Sequence, residues 1–180
     1  LVLFIFIIGN KYVIDVALAL IALLSMNEYF NAVEKVSKPV RWVGYLSCIS
    51  IAMVHIIPQE SLNMVITLSI PTILIILFAH VIATDMKISF KDIAYTFLGI
   101  FYVVFFIMFI AFITGMENGK ILIWYAIFAA WGTDIFAYLV GKYFGKHKFS
   151  KVSPKKSIEG CIGGTIGAIY IVTIYLISSI

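Results

Sequence analysis

The chain has 180 residues, 63% of them hydrophobic and 12% charged, with a formal net charge of +4 and a mean hydropathy of +1.09. Ordinary soluble domains carry about 25% charged and about 45–50% apolar residues, so a water-soluble fold of this size could not hide so much apolar surface. The solvent is lipid. The two cysteines, Cys48 and Cys161, show no CxxC or Cys/His spacing, which argues against a disulfide framework or a zinc site.

Crossing the roughly 30 Å hydrocarbon core takes about 20 mainly apolar residues per helix. Such stretches recur near 1–8, 12–30, 42–57, 62–84, 93–114, 121–141 and 161–180, separated by short polar breaks. The expected fold is all-α: one membrane-embedded helical bundle with six to seven spans. The chain opens and closes inside apolar runs, so it reads as a piece cut within membrane helices at both ends. A signal peptide is a poor reading of the start, which lacks a basic region and a small-residue cleavage site. Pro71, inside the fourth stretch, is expected to kink it, which neighbouring helices can accommodate. The runs do not alternate as barrel strands would.

Basic residues set the orientation. Alternate breaks on one side carry Lys35, Lys38 and Arg41, then Lys87 and Lys91, then Lys142, Lys146, Lys148, Lys151, Lys155 and Lys156. The other side has Lys11 and Lys120. This division, 11 of 13, places the basic 142–160 loop in the cytoplasm.

Three neighbouring features carry chemistry. Asp134 lies in an apolar span eight residues before Lys142, roughly 12 Å inside the helix end. An acid there costs at least about 2.5–3.5 kcal/mol and marks a pathway, a pair or a site. Structural pairing with a lysine, or protonation, is the other reading. Tyr138, at i+4, shares its face. Asp15 lies close to Lys11 and a helix end, where an interfacial position suffices. The loop from Lys142 to Lys156 holds six lysines and His147 in fifteen residues. Attraction to anionic headgroups would also produce such a loop, and a histidine among exposed lysines is more often solvated than catalytic.

The third feature is Ser153-Pro154-Lys155-Lys156-Ser157-Ile158-Glu159-Gly160, running into Gly163, Gly164 and Gly167. Ser153 as N-cap with Pro154 in the first helical position would put Lys155 and Lys156 in the first turn. The helix dipole disfavours cations there unless an anion such as phosphate binds. A start at Ser157 is the alternative. Glu159 is a candidate to cap the helix, pair with a lysine or join a metal site. The glycines suit close helix packing, within the chain or in a homodimer. An intramembrane acid, a cationic turn and tight packing near one interface suit a substrate with phosphate in water and acyl chains in lipid.

The order Trp131-Gly-Thr-Asp134-Ile-Phe-Ala-Tyr138-Leu-Val-Gly141-Lys-Tyr-Phe-Gly145-Lys146, followed by Ser153-Pro-Lys-Lys-Ser157-Ile-Glu159-Gly160 and Gly163-Gly164, resembles the phosphatidate cytidylyltransferase (CDP-diacylglycerol synthase) family over about the last fifty residues. Ser157 stands where that family usually has threonine. The resemblance implies a bacterial inner-membrane enzyme in which the phosphate of phosphatidic acid attacks the α-phosphorus of CTP. CDP-diacylglycerol forms and pyrophosphate leaves, with Mg²⁺ required. It further implies that Lys155 and Lys156 bind phosphate and that Ser153 and Ser157 shape the turn. Asp134 would act through the metal or its surrounding network, with Tyr138 supporting it, and Glu159 would join the substrate-binding residues. The family's C-terminal signature, with a Lys-Asp pair, a His-Gly-Gly run and further aspartates, has no match here. The principal metal ligands are therefore expected beyond Ile180, and these 180 residues alone are expected to be inactive. No nucleic-acid partner is implied.

Three rival readings remain at this stage, one of them a purely structural membrane subunit, against which the cationic Ser-Pro-Lys-Lys turn argues. A transporter or channel would use Asp134 as an ion site and Pro71 as a gating kink. Another CTP-dependent lipid enzyme, such as a polyprenol kinase, would release CDP instead of pyrophosphate.

Overall fold

A computed structural model describes residues 5–6, 9–150, 153 and 155–179. Much of the first apolar run, together with Lys151, Val152 and Pro154, lies outside the described residues. The described residues form helices with a single isolated bridge between Lys148 and Ser157. Seven α-helices follow in chain order: α1 (Lys11–Val33), α2 (Arg41–Ile49), α3 (Gln59–Ala83), α4 (Phe90–Gly99), α5 (Phe106–Gly115), α6 (Gly119–Phe144) and α7 (Ile158–Ser179). A 3₁₀ turn, Ser50–Met53, extends α2, and a π-helical turn, Ile100–Phe105, joins α4 to α5. The chain divides into two compact units, Leu1–Glu117 and Asn118–Ile180.

Among the described residues, five continuous helical segments are long and apolar enough to cross a membrane: Lys11–Val33, Glu60–Ala83, Phe90–Gly115, Gly119–Phe144 and Ile158–Ser178. The chain is an integral, multi-pass membrane protein, and the all-α bundle expected from its hydropathy is what forms. Large apolar side chains such as Leu24, Ile75 and Ile82 stay exposed, as lipid-facing positions should. Helix α3 continues through Pro71.

The 42–57 stretch differs from a regular span. Only α2 and the 3₁₀ turn form there, because Ser47 Oγ donates to Val43 O at 2.9 Å and Ser50 Oγ to Ser47 O at 2.6 Å. Serines bonding back along a helix loosen its last turn, and Pro58 precedes the start of α3. Even so, this segment runs from one end of its unit to the other. At its start, Val40 N–H donates to Thr96 Oγ1 at 2.8 Å, in the N-terminal third of the continuous Phe90–Gly115 helical segment. At its finish, His55 Nδ1 lies 2.6 Å from Asp15 Oδ2, near the N-terminus of α1. Gly115, the last residue of α5, packs against the same His55 ring. Trp42 meets His80, near the C-terminus of α3, with ring centroids 5.5 Å apart.

These contacts fix the threading of the first unit. The breaks at 34–40 and 84–89 share one end, and the break at 54–58 and the end of α5 share the other. Lys35, Lys38, Arg41, Lys87 and Lys91 therefore gather at one end of this unit, with Lys11 at the opposite one.

Local sequence sets the helix ends. Asn10 caps α1 by accepting from Val13 N–H at 3.0 Å. Ser89 and Asp92 form a capping box at the start of α4, satisfying two donors that a helix start leaves free. Between helices, Tyr29 Oη donates to Tyr95 O at 2.9 Å, and the Tyr29 ring lies against Gly99. Tyr29→Phe keeps the ring and removes the bond. Its expected cost is about 1 kcal/mol in reversible unfolding of the detergent-solubilised chain.

Asp15, close to Lys11 and a helix end, also has a distant partner. Its side chain is fully buried against His55, forty residues away. Nothing in the local sequence announces that pairing.

Candidate functional site

In the Asn118–Ile180 unit, α6 and α7 form a hairpin whose closeness depends on glycine. A Cβ on Gly160 would stand 2.8 Å from Ala137 O, and one on Gly164 would stand 2.8 Å from Thr133 O. Gly163 and Gly167 face Val140 and Phe136 across the same seam. The glycines thus serve packing within the chain. The resulting approach brings the start of α7 under the end of α6, where the basic loop begins.

Helix α7 begins at Ile158. Ser157 is its N-cap: the buried hydroxyl accepts from Gly160 N–H at 3.1 Å, and Ser157 O accepts from Cys161 N–H at 3.1 Å. The start predicted at Ser153, with Pro154 in the first helical position, therefore gives way to the later one. Electrostatics gives the reason. Starting at Ile158 puts Glu159 in the first turn, where the helix dipole favours an anion, and keeps Lys155 and Lys156 outside it. Ser153 instead opens a tight turn, its carbonyl accepting from Lys156 N–H at 3.1 Å, while its own N–H donates to Ser150 Oγ at 3.2 Å.

The loop is clasped to this helix start by a short antiparallel pairing. Phe149 N–H donates to Lys156 O and Ile158 N–H to His147 O, both at 2.9 Å. Lys148 and Ser157 are bridged between them. The clasp leaves Lys155 and Lys156 exposed on the turn, beside His147. Glu159 holds His147 twice. One bond is from ring Nδ1 to Oε1 at 2.6 Å, and the other is from the backbone N–H to both carboxylate oxygens at 3.2 Å.

Asp134 and Tyr138 sit on the face of α6 turned away from the α7 seam. Both are exposed within the unit, and Lys142 Nζ lies 5.7 Å from the centre of the Tyr138 ring, within cation–π range. Among the described residues Asp134 has no hydrogen-bond or ion-pair partner. The structure thus brings Ser153, Lys155, Lys156, Ser157 and Glu159 into one turn, with Asp134 and Tyr138 deeper along α6. Ser157 is spent on capping, and Glu159 pairs with a histidine rather than a lysine.

No group of three or more His, Cys, Asp or Glu side chains is placed to hold a metal among the described residues. A lone carboxylate such as Asp134 falls short of the several oxygen ligands that Mg²⁺ takes, so the residues present do not make up a magnesium site.

Residues 1–179 match the model of the cytidylyltransferase family. The chain belongs to that family. Its similarity to a phosphatidate cytidylyltransferase of Staphylococcus haemolyticus is 29% identity over 163 residues, covering 87% of this chain and 60% of the relative. With the enzyme of that name from Staphylococcus aureus strain COL it shares 31% over 151 residues, covering 81% and 55%. With that of Staphylococcus saprophyticus it shares 29% over 164 residues, covering 88% and 60%. The chain therefore spans 55–60% of the length of the first two relatives. No solved structure matches it. The similarity reaches well beyond the Asp134–Gly164 region that carries the sequence motif, into the apolar spans of this cytidylyltransferase-family chain.

What sequence reading missed is the His147–Glu159 pair. Its only local signal is that both residues flank the loop, and the turn that brings them together could not be seen without the pairing of 147–149 with 156–158.

Proposed function

We propose that this chain is part of a membrane-bound cytidylyltransferase that condenses CTP with phosphatidic acid, giving CDP-diacylglycerol and pyrophosphate. One observation carries the reading furthest. The capped start of α7 and the antiparallel clasp hold two lysines, Lys155 and Lys156, exposed on one turn in a chain of this family. The reaction joins two polyanions, so cations must offset charge while attacker and leaving group are held in line.

In this reading Lys155 and Lys156 bind phosphate oxygens, while Ser153 and Ser157 build the turn that presents them. Glu159 fixes the flank of the turn, and Tyr138 and Asp134 line the approach from the lipid side. Mg²⁺ bound with CTP would offset phosphate charge, and Asp134 would be a single carboxylate toward it, short of a site by itself. The remaining ligands are expected in sequence beyond Ile180. The 142–160 loop faces the cytoplasm of a bacterial inner membrane. Support for that side is the loop's own six lysines, which the positive-inside rule assigns to the cytoplasm. A homodimer would need a surface other than the glycine seam.

The test is the double substitution Lys155→Ala, Lys156→Ala. CTP affinity is expected to fall about 10- to 50-fold, with helical content and melting unchanged, since both side chains are solvent-exposed. Unaltered CTP affinity would sink the reading. In the parent protein, released pyrophosphate marks cytidylyl transfer, whereas released CDP would mark a kinase.

A further inference from the structure

A histidine on a lysine-rich loop has no need of three hydrogen bonds to stay where it is. His147 nevertheless receives them: its ring Nδ1 and its backbone N–H engage Glu159, and its carbonyl accepts from Ile158 N–H. The pair is asymmetric, with 26% of the Glu159 side chain exposed against 75% of His147. The carboxylate sits inward and the ring outward. With Nδ1–H given to Glu159, the tautomer and ring direction are set, and Nε2, across the ring, is turned away from the carboxylate. In the antiparallel pairing, His147, Phe149, Lys156 and Ile158 alternate onto one side of the clasp, while Lys148 and Ser157 take the other. His147 therefore shares a side with Lys156.

We propose that His147 is a phosphate-binding residue of this turn, oriented by Glu159 so that Nε2–H donates to a phosphate oxygen gathered by Lys155 and Lys156. Glu159 is a positioning residue that acts through the ring. The inference rests on the reading of this turn as a phosphate site, and it adds the donor that lysines do not supply. An ammonium on a four-carbon stem offers charge with little direction, whereas an imidazole pinned at one nitrogen offers a donor in a fixed direction. In this arrangement the ring donates from both nitrogens, Nδ1–H to the Glu159 carboxylate and Nε2–H to the phosphate on the opposite edge. The phosphate belongs either to the nucleotide or to the lipid headgroup, and the chemistry at Nε2 is the same.

Two substitutions separate this role from a plain clasp. His147→Asn keeps an amide N–H near the Nδ1 position, so the contact with Glu159 survives and the Nε2 donor is lost. His147→Gln reaches toward the Nε2 position and restores a donor there. The 180-residue chain would be placed in phosphatidylcholine nanodiscs and titrated with MgCTP. In detergent micelles it would be titrated separately with dihexanoyl phosphatidate.

His147→Asn is expected to weaken one of the two probes by about 10-fold, and His147→Gln to stay within about threefold of wild type. The probe affected identifies the source of the phosphate. Glu159→Ala should also weaken that probe, with no further loss when combined with His147→Asn, because the carboxylate works through the ring. Wild-type affinity for both probes in His147→Asn overturns the proposal and leaves the pair a clasp. Equal losses in His147→Asn and His147→Gln overturn it as well, since the donor's place would not matter. If the wild-type chain binds neither probe, or if the double lysine variant binds as wild type does, the phosphate-site reading itself fails and the inference goes with it.

Discussion

Asp92→Ala is expected to lower the stability of the Leu1–Glu117 unit by about 3 kcal/mol, at the low end of what breaking a buried charged network costs. The carboxylate receives four hydrogen bonds: Ser37 Oγ at 2.6 Å, Lys38 N–H at 2.6 Å, and Ser89 N–H and Oγ at 2.8 Å each. Two of these donors belong to the helix start it caps, and two to a loop more than fifty residues earlier in the chain. Alanine removes every acceptor at once. Buried Ser37 then loses its partner, and so do the backbone N–H groups of Lys38 and Ser89. Thr96, fully buried one turn on, ties the same loop through Val40 N–H, so the damage should spread to the α1–α2 connection. Asp92→Asn keeps the shape but turns one acceptor into a donor facing donors, and should cost about half as much. Reversible unfolding in mixed micelles, followed by far-UV circular dichroism, gives both values. A loss under 1 kcal/mol for the alanine variant would show that the network is dispensable.

Gly164→Leu should cost about 3 kcal/mol and, unlike Asp92→Ala, should act on the Asn118–Ile180 unit. The Cβ alone would meet Thr133 O at 2.8 Å and Ala137 Cβ at 2.9 Å, contacts against helix backbone and a short side chain that have nowhere to go. Overpacking of this kind costs about 1–3 kcal/mol, and the four-carbon side chain takes it to the upper limit. The hairpin must open, and opening it pulls the Ser157 cap away from the end of α6. Phosphate binding at Lys155 and Lys156 should therefore fall with stability, whereas the double lysine variant loses binding alone. Cysteine cross-linking between α6 and α7 would read the separation directly. Unchanged cross-linking and binding in Gly164→Leu would mean that the seam tolerates bulk.

The two sets of features were not equally visible in the amino-acid sequence. Apolar runs, basic breaks and the Ser-Pro-Lys-Lys turn are local properties, and they gave the helical membrane fold, the division of charge and the candidate turn. Asp134 could be singled out because an acid is costly in lipid whatever surrounds it. The exact start of α7 was open between Ser153 and Ser157, since both are good N-caps. Charge and packing decided it together: Glu159 rather than two lysines occupies the first turn, and the end of α6 lies over Ser157.

Tertiary structure alone decided which polar groups meet. Asp15 pairs with His55, Asp92 gathers Ser37 and Lys38, and Glu159 holds His147. Hydropathy reports whether a residue prefers lipid or water, and capping rules report on the next three or four residues. Neither says which helix ends lie together, and polar partners tens of residues apart depend on that alone. The sequence by itself determined a basic, multi-pass helical protein with a cationic turn ahead of α7. The threading of the broken 42–57 crossing, the buried acid–histidine pair and the orientation of His147 came from helices packing against one another, because in a low-dielectric interior each polar group must find its partner where the packing puts one.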